Sequence, residues 1–253
     1  MRENAAVATG ERADYGFDSP YVPIFLCGWG SVLIVAGVVM ALTLGPAPGL
    51  VAVAVGLFTL LSGFSFVYTT RRGKLAVWTE LLAALPFAGD ERVVDLGCGR
   101  GAVLVRAARC VPRGRAVGVD IWRRVDQTGN NADATRRNLA LEDVIDRARL
   151  CTGDMRSLPL VGDAADVVVS SLAIHNIPDP AGRRHAIEEA YRVVRPGGRL
   201  LVADFRATGE YAETLRALGA TDVASRNLGW RFWYGGPWAS TRLVTATKTT
   251  MNT

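Results

Sequence analysis

The sequence predicts an α/β protein: a doubly wound, mostly parallel sheet of seven strands, preceded by a transmembrane helical hairpin. Three observations carry this. Residues 19–70 hold no charged side chain. From residue 75 onward, short apolar runs alternate with segments of helical period. Between them "VVDLGCGRGAVLV" (93–105) reads as a buried strand entering a glycine loop and then a helix.

Residues 1–18 form a polar N-terminal tail with a net charge of −2, and residues 19–70 form the hairpin. "YVPIFLCGWGSVLIVAGVVMALTL" (21–44) and "GLVAVAVGLFTLLSGFSFVYT" (49–69) are each long enough to cross about 30 Å of hydrocarbon as helices. The "GPAPG" between them permits a tight reversal. Tyr21, Trp29 and Tyr68 lie toward the ends of the segments on one side, where interfacial aromatics belong. Gly37, Ala41, Ala52 and Gly56 let the two helices approach closely. "RRGK" (71–74) follows at once, so the positive-inside rule puts this end, both termini and the domain at 71–253 on the cytoplasmic face of the cell membrane. A buried helical pair in a soluble fold is the alternative, opposed by the lack of any polar face. A cleaved signal peptide fits worse, given the late start, the length and the second span.

The remaining chain carries the excess charge that brings the total to +5, without a Lys/Arg block, so nucleic-acid binding is not indicated. Four cysteines without a C-x-x-C pair and only two histidines leave no metal site and point to reduced thiols. In order, the domain reads as a helix at 74–85, a strand at "RVVDL", a helix over 102–109 and a strand at 115–120. A polar helix near 132–141 follows, then strands at 148–154 and 166–172, and a helix from Pro180 to Val194. Asp179 before Pro180 supplies that helix with an N-cap and a first residue. A strand at 198–205, a helix around 210–218 and two late strand-like runs complete the pattern. "STRLVTATK" (240–248) suits a final strand inserted antiparallel. Ligands of such Rossmann-like sheets bind beyond the strands' carboxyl ends, which gathers Asp95, Asp120, Asp154 and Ser170 around one crevice.

Gly97, Gly99 and Ala102 satisfy the dinucleotide pattern G-x-G-x-x-G/A, so a nicotinamide oxidoreductase is one reading. Asp95 opposes it, because a carboxylate at the strand tip repels a pyrophosphate and favours a cation. S-adenosylmethionine, with an ammonium and a sulfonium and no phosphate, fits better.

"VVDLGCGRG" (93–101) resembles the first motif of class I S-adenosylmethionine-dependent methyltransferases, and "VVRPGGRLLVAD" (193–204) resembles their L-x-P-G-G-x-L motif before the fifth strand. The resemblance covers about residues 75–250 and is closest to the group that includes the ubiquinone/menaquinone-biosynthesis methyltransferases. It implies that Asp95, Gly97, Gly99 and Gly101 line the methionine part of the cofactor, and that Asp120 bonds the ribose hydroxyls. It further implies that Ile121 or Trp122 packs on adenine and that Asp154, beside Met155, accepts from the adenine amino group. In this fold the segment after the fourth strand borders the methyl group, and here it reads "SSLAIHNIPD". His175 is the candidate base and Asn176 a candidate substrate contact; the alternative for His175 is to shape the loop through a backbone bond.

Two stretches stand outside the pattern. "WRRVDQTGNN" (122–131) is either a lid on the substrate pocket or an exposed loop ending in an Asn N-cap. "NLGWRFWYGGPW" (227–238) fills the end of the sheet, roofs an apolar or planar substrate pocket, or rests at the lipid interface. The roofing alternative makes Trp230, Trp233 and the possible anion contact Arg231 substrate residues. The expected function is therefore a membrane-anchored methyltransferase of a small apolar or aromatic acceptor. Methylation of a soluble metabolite or thiol, and a non-catalytic cofactor-binding scaffold, are the alternatives. The oligomeric state is left open.

Overall fold

In the computed structural model, which describes residues 11–250, the domain is built on one seven-stranded sheet of order β3-β2-β1-β4-β5-β7-β6. The strands are β1 (Arg92–Leu96), β2 (Arg115–Asp120), β3 (Ala148–Thr152), β4 (Ala165–Ser171), β5 (Val194–Asp204), β6 (Thr221–Asn227) and β7 (Arg242–Thr247). β7 runs antiparallel between β5 and β6, and the pairings among β1 to β5 are parallel. The order reverses at β1, which pairs with β2 on one side and β4 on the other, and opens a crevice at the strands' carboxyl ends.

Alternation sorts the side chains between two apolar layers. Val93, Val167, Val169 and Leu201 face α3 (Lys74–Ala83) and α4 (Ala102–Cys110), where Trp78, Leu82 and Leu104 are fully buried. Val94, Leu96, Val168 and Leu200 face α6 (Pro180–Val193) and α7 (Thr208–Ala217), against Ile187, Tyr211 and Leu215. Asn131 caps α5 (Ala132–Leu141) by accepting from Ala134 N at 2.8 Å, and Asp179 caps α6 by accepting from Gly182 N at 2.6 Å. The four cysteines are free.

α1 (Tyr21–Thr43) and α2 (Pro46–Tyr68) form the hairpin, and a π turn at Thr69–Gly73 carries α2 directly into α3. The reversal is shorter than "GPAPG" suggests. Gly45 makes the turn at φ +108°, and Pro46 already occupies the first turn of α2, where no N–H is required. Glycines form the seam: a Cβ on Gly37 would lie 2.7 Å from Val53 N, and one on Gly49 2.5 Å from Ala41 N. Large apolar side chains such as Ile24, Phe25, Leu42 and Leu61 point outward. Ser31, Thr43, Thr59 and Ser62 each donate to the carbonyl four residues earlier, at 2.8 to 2.9 Å, so these hydroxyls are satisfied within their own helices.

Residues 11–18, before the hairpin, lie across the domain that follows it. Tyr15 donates to Glu142 at 2.7 Å, Asn138 Nδ2 donates to the Asp14 carbonyl at 2.8 Å, and Thr128 N donates to the Phe17 carbonyl at 3.2 Å. Residues 1–10, the rest of the expected polar tail, are outside the described residues.

Candidate active site

The glycine loop leaves β1 at the point where strand order reverses. Gly97 N and Cys98 N both donate to the Val119 carbonyl, at 2.8 and 3.2 Å, which fastens the loop to β2. Gly97 has φ +70°, and a Cβ there would lie 2.2 Å from the Ala173 Cβ, so position and conformation both require glycine. Asp95 is 1% exposed and neither carboxylate oxygen has a hydrogen-bond partner among the described residues. Burial, reinforced by the nearby Asp120 carboxylate, pushes Asp95 up to about 8. A cationic group placed beside this carboxyl would offset the cost of burying it without a partner.

Asp120 ends β2 and takes Gly99 N on Oδ2 at 2.8 Å, with Trp122 N at 2.6 Å and Asn130 Nδ2 at 3.3 Å on Oδ1. These bonds leave a carboxylate one of its roughly four acceptor positions. Asn130, buried beside it, adds an unpartnered Oδ1. In residues 122–131, Asn131 caps α5, as the loop alternative expects, while Asp126, Gln127 and Asn130 line the crevice. Asp154 also lines it, with its carboxylate engaged by Arg156 at 2.6 Å, which holds it below the usual range.

His175 sits in a short helical turn at Ile174–Asn176, just after β4. Its Nδ1 lies 2.7 Å from Asp204 Oδ1, off the line of an ideal hydrogen bond. Asp204 ends β5, is fully buried, and is fixed by His175 N at 3.1 Å, Phe205 N at 2.9 Å and Tyr211 OH at 3.3 Å. The Phe205 ring packs 4.5 Å from the imidazole, centroid to centroid. Asp204 is the site residue that sequence reasoning passed over, although it ends a parallel strand as Asp95 and Asp120 nearly or fully do. Asn130 is the other.

One cavity of about 470 Å³ joins Asp95, Gly97, Gly99, Asp120, Ile121, Asp154, Met155, His175 and Asn176. Five expected residues lie elsewhere. Gly101 does not line the cavity; it sits at φ +85° as the N-cap of α4, facing Thr135. Ser170 is fully buried and donates to the Leu96 carbonyl at 2.9 Å, because β4 runs one residue further and puts Ser171 at the rim. Arg231 is held by Glu80 through two bonds of 2.6 Å. Trp230 stacks on Tyr68 at 5.3 Å, and the Trp233 carbonyl accepts from Thr69 Oγ1 at 2.7 Å. The aromatic stretch therefore clamps the foot of the hairpin to the domain. Only its Tyr234, among the aromatics, lines the cavity.

A family model described as "Methyltransferase domain" matches residues 88–233, more than half of the chain. The chain belongs to this methyltransferase family. The 27-O-demethylrifamycin SV methyltransferase of Amycolatopsis mediterranei is 33% identical over 126 residues, 50% of this chain and 43% of that one. The ubiquinone/menaquinone biosynthesis C-methyltransferase UbiE of Dinoroseobacter shibae is 34% identical over 156 residues, 59% of this chain and 58% of that one. The chain thus spans about half the length of these curated relatives. Among solved structures, geranyl diphosphate C-methyltransferase from Streptomyces coelicolor A3(2), in complex with Mg2+, geranyl diphosphate and S-adenosyl-L-homocysteine, superposes with a TM-score of 0.56. That match has 18% identity and covers 71% of this chain and 81% of that one. The [4+2]-cyclase SpnF superposes at 0.54 with 22% identity, covering 68% of this chain and 80% of that one, and shares the fold of the methyltransferase domain. Fold alone does not fix the reaction, so the reaction has to be argued from the site.

Proposed function

We propose that the protein is an S-adenosylmethionine-dependent methyltransferase, held in the cell membrane by its hairpin, that methylates a small apolar or aromatic acceptor on the cytoplasmic face. The observation that carries the acceptor reading is the extent of the cavity. It runs from Asp95 and Asp120 past His175 to Ser19 and Val22 at the foot of α1 and Phe66 near the foot of α2. An acceptor dissolved in the lipid layer meets the site where the hairpin leaves that layer. The inward glycines and outward large apolar side chains of α1 and α2 support the anchoring, because lipid rewards small interfacial residues and tolerates apolar surface.

The residues present fit the cofactor. Asp95, buried and unpartnered, receives a cationic group, and the glycine loop lets backbone approach it closely. Asp120 and Asn130 offer the acceptor oxygens that a vicinal diol requires. S-adenosylmethionine, when bound, supplies a methyl group on a sulfonium leaving group for in-line displacement. The protein then has to align the acceptor, exclude water and take up a proton. Asp204, beside Nδ1 of His175, favours the tautomer that leaves Nε2 free to accept the acceptor's proton. The buried Asp204 also stabilises the imidazolium formed by that transfer.

The test uses purified protein, methyl-labelled S-adenosylmethionine and two extracts of its source cells, one lipid and one aqueous. Label in the lipid extract is the expected result. Label in the aqueous extract alone overturns the acceptor class, and no label in either, with cofactor binding intact, overturns the catalytic reading.

A further inference from the structure

The end of the cavity nearest the hairpin holds a polar cluster that neither cofactor binding nor the His175 pair uses. Lys74, the first residue of α3, is 5% exposed, and its Nζ lies 2.5 Å from Asp18 Oδ2. Tyr234 OH donates to the same oxygen at 2.8 Å, and Gln127 Nε2 donates to Asp18 Oδ1 at 3.3 Å. Asp18 comes from the segment before the hairpin, Lys74 from just after its foot and Tyr234 from the aromatic stretch, and all three line the cavity. None lies within residues 88–233, the part matched to the methyltransferase family.

We propose that Lys74, Tyr234 and Asp18 form an oxygen-binding subsite that receives a ring hydroxyl of the methyl acceptor, the acceptor being a phenol with an apolar substituent. This rests on the proposed methyltransferase reading and names its substrate class. An ammonium carries three donors, and Asp18 is the protein acceptor for Lys74 Nζ, so two remain for a ligand. The Tyr234 oxygen spends its proton on Asp18 and keeps its lone pairs. Together they present one donor and one acceptor, the complement of a hydroxyl. Asp18 neutralises Lys74, which disfavours a carboxylate or phosphate in the same place. Beside this cluster the wall is apolar: Val22 and Phe66 line it, and Phe66 meets the Tyr234 ring edge-on at 4.9 Å. Holding the N-terminal segment does not require the cluster, since Asp14, Tyr15 and Phe17 already bind the domain. A buried ion pair adds little net stability by itself.

The test places the full chain in phosphatidylethanolamine/phosphatidylglycerol nanodiscs with S-adenosylhomocysteine and measures saturable binding of 4-prenylphenol and of prenylbenzene. Wild type is expected to prefer the phenol by at least about tenfold, because prenylbenzene leaves buried polar groups unpaired. Tyr234→Phe and Lys74→Met are expected to reduce the preference to about twofold or less, with cofactor affinity retained. Tyr234→Phe removes a single oxygen and decides the matter if Lys74→Met does not fold. A preference kept in Tyr234→Phe overturns the subsite and leaves the membrane methyltransferase intact. A wild type that binds cofactor but neither ring compound overturns the subsite together with the acceptor class.

Discussion

In the proposed site, Asp95 links cofactor binding to a proton. Its carboxyl is pushed up to about 8 from 3.8, so the folded, unliganded protein retains a proton that the unfolded chain releases near pH 4. Its contribution to stability therefore declines as pH rises from about 4 to about 8 and is flat outside that window. A bound cation favours the ionised form, so binding releases the proton and cofactor affinity rises with pH up to about 8. Calorimetry in buffers of different ionisation enthalpy is expected to show this release, and Asp95→Asn to abolish both the release and tight binding. The same variant is expected to raise the melting temperature of the unliganded protein at pH 8. A pH-independent affinity in wild type would contradict the site assignment. His175→Ala and Asp204→Asn are expected to slow turnover on the order of 10²-fold while cofactor affinity stays within about twofold. An unchanged pH–rate profile in Asp204→Asn would show that Asp204 only shapes the loop. Asp95, Gly97 and Asp120 were legible because their roles follow from position at a strand end or turn. Asp204 was not, because its contact is with a histidine 29 residues earlier in the chain, and only the β4–β5 pairing brings them together.

The helices of the hairpin meet on glycine, so volume added at that seam has nowhere to go. Gly49→Leu is expected to destabilise the protein by about 1–3 kcal/mol through overpacking. Gly28→Ala, where a Cβ meets nothing within 4 Å, is expected to be neutral or slightly stabilising. Thermal melts in detergent distinguish them, and equal melting temperatures would show that the seam is not tightly packed. Gly73 is a second such point, since a Cβ there would overlap the Arg231 carbonyl at 1.8 Å and lift the aromatic stretch off the hairpin. At this scale the sequence was readable wherever period decided the outcome: β1 to β4, α4 and the capped α6 are where the pattern puts them to within two residues, while β5 starts four residues earlier than its apolar run, at Val194. The aromatic stretch at 227–238 was not readable, because aromatics satisfy a sheet end, a pocket roof or a helix foot equally well. The partners Ser65, Tyr68 and Glu80 decide it, and they are remote in sequence.

For the whole molecule, S-adenosylmethionine at 100 times its dissociation constant is expected to add about 2.7 kcal/mol, or about 5–10 °C in melting temperature. NAD at the same concentration is expected to add nothing, because a pyrophosphate offers the buried Asp95 no cationic partner; a shift with NAD alone would restore the oxidoreductase reading. The doubly wound order and the antiparallel β7 were legible from alternation and the last apolar run. The return of residues 11–18 across the domain was not, since a short polar segment carries no periodicity to betray its partner. That return has a consequence for how the protein is made. Asp18 and Tyr234 stand 216 residues apart, yet share a hydrogen bond. The segment before the hairpin can complete the cavity only after the chain as far as Tyr234 has emerged from the ribosome. Under the proposed anchoring it must also wait on the side of the bilayer where the domain folds. A chain whose synthesis stops before Tyr234 lacks both a wall of the cavity and β7, the strand that joins β6 to the rest of the sheet.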